Sequence, residues 1–168
     1  ECCLPRGVTS ATLADAWGAY VEPAPVRATK QRAAQQNGAA AFDPTKVQRN
    51  LKLKPGDVLI FEEVVGAKSG VKADALPTRR HAVRLTSVEV REDPVALQPY
   101  QAGATTYQLP TPVLEITWAE EDALPFPLCL SAIGPAPACA LINHISVARG
   151  NVILVDHGRT IRPAEPLG

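Results

Sequence analysis

The chain has 168 residues and a mass of 17.8 kDa, with 46% hydrophobic and 20% charged residues. A chain of this size buries roughly 68–70% of its unfolded surface, so one domain can fold without disulfides or metals. Lys plus Arg and Asp plus Glu balance at 17 each, so charge gives no argument for nucleic acid or an anionic membrane. No apolar run reaches the roughly 18 residues that suggest a membrane span. Proline is high, 16 residues, about twice the typical share of roughly 5%. Methionine is absent and the sequence opens with Glu1, which points to a processed chain or a piece of a longer polypeptide.

Taken in order, Leu4-Pro5-Arg6-Gly7 reads as a turn and Val8 to Leu13 as a short strand. Pro23 and Pro25 break regular structure. Arg27 to Gln36 is rich in helix formers, with Asn37-Gly38 as a stop. Its apolar face is only alanine, so a short surface helix or a flexible excursion is expected. Leu51 to Lys54 alternates, Pro55-Gly56-Asp57 turns, and Val58 to Val64 is a strand. Its apolar run followed by Glu62-Glu63 predicts burial on both faces, then emergence into solvent.

Ala67 to Pro77 reads as a loop, and His81 to Val90 as an alternating strand. Val83, Leu85, Val88 and Val90 cannot share one face without a bulge near Thr86-Ser87. Asp93 to Pro112 carries Pro94, Pro99, Gly103, Pro110 and Pro112 and reads as a long connection. Val113 to Trp118 and Leu128 to Ser131 are strands, joined through the acidic turn Ala119 to Pro127. Gly134 to Pro137 breaks the chain. Ile145 to Ala148 and Asn151 to Val155 flank Arg149-Gly150 as a hairpin, and Asp156-His157-Gly158-Arg159 reads as a tight turn. The sum is an all-β fold: a small barrel or sandwich of about seven to eight short strands, long proline-rich loops and at most one short helix.

Candidate chemistry is sparse. The four cysteines are Cys2, Cys3, Cys129 and Cys139. None has metal-ligand spacing, and neighbouring Cys2 and Cys3 would point to opposite faces of a strand. Buried thiols are favoured, and two disulfides in three possible connectivities are the alternative. His81, within Arg79-Arg80-His81, needs a placed partner for acid–base work, and a basic cluster at a strand start explains it more simply. Glu62-Glu63 and Glu120-Glu121-Asp122 lack calcium-ligand spacing and read as solvated. Trp17 and Trp118 read as core or interface anchors. Asn143-His144 reverses the His-Asn order that protein splicing uses. No phosphate-binding, dinucleotide or serine-hydrolase motif is present. No catalytic residue, metal, cofactor or small-molecule substrate is expected.

Five stretches in series carry a resemblance: Glu1 to Leu13, Leu53 to Val64, Arg80 to Thr86, Glu115 to Trp118 with Glu121 to Cys129, and Ser146 to Gly158. Together they resemble the J-like baseplate wedge proteins of phage-tail-like contractile injection systems, the baseplate assembly proteins. Residues 14–50 match nothing in that pattern and are expected to be an insertion or a flexible excursion. Family members are much longer, so the resemblance implies one β domain over 1–168 that is a segment of a larger wedge subunit. It implies a structural role around a central hub and no catalysis. The partners implied are other wedge and hub proteins, with sheath or tube proteins. Assembly would take place in the bacterial cytoplasm, with the particle retained or released.

Two loops mix apolar and charged residues as interface rims do. The interface candidates are Lys68, Val71 and Leu76 in the first loop, Arg79 and Arg80 beside it, and Glu121, Leu124 and Phe126 in the second. The competing expectation is a cysteine-dependent autoprocessing or hydrolytic β domain, using Cys2 or Cys3 with His81, His144 or His157. A carbohydrate-binding module is disfavoured, because only 5% of residues are aromatic.

Overall fold

A computed structural model describes residues 2–21 and 42–152. Ten strands run through them: β1 Cys2–Leu4, β2 Ser10–Ala14, β3 Trp17–Tyr20, β4 Val47–Arg49, β5 Val58–Glu63, β6 Arg80–Ala102, β7 Thr105–Trp118, β8 Leu128–Ile133, β9 Leu141–Ile142 and β10 Ser146–Arg149. Helix is confined to three single 3₁₀ turns among the described residues. The expected all-β class is therefore found, with more strands than the seven or eight anticipated. The surface helix expected at Arg27 to Gln36 and the turn at Asp156 to Arg159 lie outside the described residues, as does most of the strand expected at Asn151 to Val155.

The strands form a five-stranded sheet in the order β10-β5-β6-β7-β2, a three-stranded sheet β1-β8-β9 and a pair β3-β4. All pairings are antiparallel. The large sheet curls. Its two edge strands contribute to one apolar cluster: Ala11 and Leu13 from β2, and Ala148 from β10. The centre of that cluster is Leu59, Phe61, Val83, Leu85, Leu114, Ile116 and Trp118, with Leu124 and Leu128. The edges are not hydrogen-bonded to one another, so the sheet does not close into a barrel, and the three sheets fit a sandwich. Leu128 of β8, fully buried, belongs to the same cluster and lines a cleft of ≈ 260 Å³ between the two edges. Each fully buried aliphatic side chain of this set stabilises the fold by roughly 1.5–3 kcal/mol.

Strand β5 corrects one expectation. Its exposure alternates, with Leu59, Phe61 and Glu63 buried and Val58, Ile60 and Glu62 only partly covered. Period-two alternation means one core face, not two. Leu51 and Leu53 form no strand, yet both pack against the core cluster.

The bulge expected near Thr86-Ser87 is present: the β6–β7 register shifts between Leu85 and Ser87. This extra residue lets Val83, Leu85 and Val88 all pack on the core cluster. The larger correction concerns Asp93 to Pro112. That stretch is no loose connection, because β6 and β7 continue through it as one ribbon up to the pair Ala102↔Thr105.

Candidate interaction surface

The outer half of the ribbon is an arm. Gly103, at φ +61°, opens a two-residue turn between Ala102 and Thr105. That conformation favours glycine and matches the twist of a hairpin. Proline is tolerated because the edge strand beside β7, β2, ends at Ala14, opposite Val113. Pro110 and Pro112 stand two apart, so both missing N–H groups face the same outer side, where no ladder continues. Their carbonyls on that side are used: Pro112 O accepts from Asp15 N at 2.9 Å, and Pro110 O from Trp17 Nε1 at 2.8 Å.

A three-residue bulge, Pro94-Val95-Ala96, separates the pairs Asp93↔Thr111 and Leu97↔Pro110. Asp93 Oδ1 accepts from Val95 N at 2.9 Å and from Ala96 N at 3.4 Å, which turns the backbone outward. Val95 stands 90% exposed as a result, and Leu97 54%.

The β3–β4 pair braces the arm. Phe42 stacks on Tyr107 at 4.0 Å and on Tyr100 at 5.6 Å between ring centroids, and meets Tyr20 at 5.5 Å. Tyr100 and Tyr107 are themselves opposed across the ribbon. Arg49 of β4 lies 5.1 Å over the Trp17 ring, donates to Val113 O at 3.1 Å and to Arg91 O, and pairs with Glu92 at 3.7 Å. Asp15 is buried, and its Oδ1 accepts from Ala16 N and Leu51 N. The two ends of the expected insertion, residues 14–21 and 42–50, are thus folded against the arm. Residues 22–41 lie outside the described residues.

The first candidate loop is held by a buried carboxylate. Glu63 accepts from Leu76 N and from Arg79 Nη1, both at 3.0 Å, and its side chain is 1% exposed. Gly66 is needed inside that loop, since a Cβ there would lie 2.7 Å from Asp74 Cβ. Lys68, Val71 and Leu76 are exposed, whereas Arg79 is committed to Glu63. Arg80 pairs with Glu62 at 3.4 Å, and Arg149 also hydrogen-bonds Glu62. That hydrogen bond holds the Glu62 carboxyl below the ordinary carboxylate range, against the opposing effect of partial burial. Glu62-Glu63 is therefore an ion-paired strand end, not a solvated one.

The second candidate loop divides. Glu121 is exposed. Leu124 is 1% exposed and belongs to the core, so it is corrected from rim to core: its N–H donates to Val8 O and its carbonyl accepts from Gly7 N. Phe126 packs against the same cluster and meets His81 edge-on at 6.5 Å. Asp122 accepts from Arg84 N at 2.9 Å, and its carbonyl lies 3.0 Å from His81 Nε2. Trp118 is core, and Trp17 anchors the brace.

The residues of the processing alternative are spread out. His81 is bound to the acidic turn, His144 is exposed on the segment before β10, and His157 lies outside the described residues. Cys3 faces Cys129 across β1 and β8, while Cys2 and Cys139 are exposed. No cluster of three or more His, Cys, Asp or Glu residues suited to a metal occurs among the described residues.

Sequence reasoning missed the arm and its exposed Val95 and Leu97. A usable signal was present. Pro99-Tyr100-Gln101 and Tyr107-Gln108-Leu109-Pro110 are arranged almost symmetrically about Gly103, as a hairpin with matched tyrosines requires. The chain matches no family model, no curated protein and no solved structure.

Proposed function

We propose that this chain is a structural segment of a baseplate wedge in a phage-tail-like contractile injection particle. It works by docking to neighbouring wedge, hub, sheath or tube proteins, without a cofactor. Assembly takes place in the bacterial cytoplasm. The observation that carries the docking reading is the braced arm, which presents Val95 and Leu97 to solvent at 90% and 54% exposure. A proline-stiffened ribbon held by an aromatic stack loses little entropy on binding, which suits a permanent assembly. The serial resemblance along the chain supplies the kind of assembly. The exposed Lys68, Val71 and Leu76 of the first loop, and Glu121 of the second, are further candidate contacts.

The test is a tagged copy of the protein recovered from its native lysate, with partners identified by mass spectrometry and particles imaged by negative stain. Sheath and tube proteins that co-purify, with the tag at one end of rod-like particles, are the expected result. A lone or self-shortened protein, from a lysate that contains assembled particles, overturns the proposal in favour of cysteine-dependent processing.

A further inference from the structure

Cys3 and Cys129 are 126 positions apart in sequence, yet their sulfurs lie 2.7 Å apart. The reason is register: Cys3 of β1 is directly opposite Cys129 of β8 in an antiparallel pair. Directly opposed residues in such a pair have Cα atoms about 4.5–5.5 Å apart. A disulfide needs a Cα separation of about 4.4–6.8 Å and converging side chains. Both requirements are met by strands that already pair, so bridging needs no backbone rearrangement. Cys129 is 8% exposed, whereas Cys3 is half-buried at the outer strand of its sheet. One thiol is thus reachable from solvent and the other waits behind it.

We propose that Cys3 and Cys129 are a redox modification site that takes a small-molecule disulfide of the oxidised-glutathione class as its oxidant. The Cys3 thiolate attacks one sulfur of the oxidant and expels one thiol. The Cys129 thiol loses its proton, attacks the Cys3 sulfur of the mixed disulfide and expels the second thiol. Two protein thiols are oxidised, one external disulfide is reduced to two thiols, and the protein loses two hydrogen atoms. The product staples β1 to β8, whose Leu128 is buried in the main core cluster. Because the closed loop spans most of the chain, the staple restricts the unfolded state strongly. The proposal is independent of the docking function.

The test uses the full chain carrying Cys2→Ser and Cys139→Ser, both at exposed positions, so that only the proposed pair remains. The reduced protein is incubated with oxidised glutathione, alkylated in denaturant and weighed intact. The expected product is a monomer about 2 Da lighter that takes up no alkylating agent. Its unfolding midpoint should rise by about 5–10 °C over the reduced form. Adding Cys3→Ser, at a half-buried position on the margin of the small cluster of Cys129, Ala132 and Ile145, should abolish both effects. A stable glutathione adduct, a crosslinked dimer, two alkylated thiols or an unchanged midpoint would each overturn the proposal.

Discussion

The two halves of the β6–β7 ribbon share one pairing pattern and differ in what stabilises it. In the inner half, Leu85, Leu114, Ile116 and Trp118 are 1–3% exposed in a core shared with β2, β5 and β8. In the outer half a two-stranded ribbon stands without a sheet on either side. Such a ribbon is marginal in water by itself, so it depends on Phe42, Tyr20 and the Trp17–Arg49 contact. The inner half is held by burial, the outer half by a brace. Regular hydrogen bonding alone does not tell which is which.

The largest expected effect comes from breaking the inner half. Leu114→Ala should cost about 2–5 kcal/mol in a denaturant titration, with arm and core unfolding together. Arg79→Ala comes next. It leaves Glu63 buried without its cation, and the loss should approach about 3 kcal/mol, the low end for a broken buried pair, because Arg79 is itself 29% exposed. A double replacement, Glu63→Leu with Arg79→Leu, should recover part of that stability. A cost below about 0.5 kcal/mol for Arg79→Ala would mean that the loop face is held by other contacts.

Phe42→Ala separates the two halves. It should lower local stability of the arm by about 1–2 kcal/mol. That predicts amide exchange some 5–30-fold faster between residues 97 and 109, with the β5 and inner β7 amides unchanged. Equal acceleration throughout would show that arm and core form one cooperative unit.

Those differences also explain what could be read from the chain. The inner β6 and the bulge after Leu85 were legible because burial on one face writes itself as alternation; β5 and β8 were legible only as apolar runs, and the one-sided burial of β5 was not. The arm was not, since its prolines mimic a loop and its stabilising partner, Phe42, is remote in sequence. Glu62 and Glu63 look alike as neighbours. Only the arrival of Arg79 and Leu76 N at Glu63 makes one of them buried. Leu124 sits in an aperiodic acidic turn, and its burial follows from backbone pairing with Gly7 and Val8. The pairing of Cys3 with Cys129 is a matter of strand register, which spacing does not encode. Of the interface candidates, Lys68, Val71, Leu76, Arg80 and Glu121 are exposed, while the exposure of Val95 and Leu97 depended on recognising the arm.

A smaller effect should follow pH. The Glu62 carboxyl is held below its ordinary value of 4.5 by the hydrogen bond from Arg149. A depressed folded value means that its stabilisation is present above about pH 4.5 and is lost as pH falls through the folded value. Glu62→Gln should therefore lower the unfolding midpoint near pH 7, and the gap to wild type should narrow as the pH falls below about 4.5. Parallel curves across that window would assign the acid sensitivity to other groups.

The smallest expected effect on folding is also the sharpest test of the arm. Val95 is 90% exposed and contributes almost nothing to the core. Val95→Asp, alone or with Leu97→Asp, should change stability by no more than about 0.5 kcal/mol. If the arm is a docking element, the same pair should remove most of the co-purifying partners, since charge at the centre of an apolar contact is strongly unfavourable. A folded variant that retains all its partners would move the contact to the loop face around Val71 and Leu76. There Val71→Asp should have the effect denied to the arm. A surface that loses binding without losing stability distinguishes an arm kept for contact from one kept for folding.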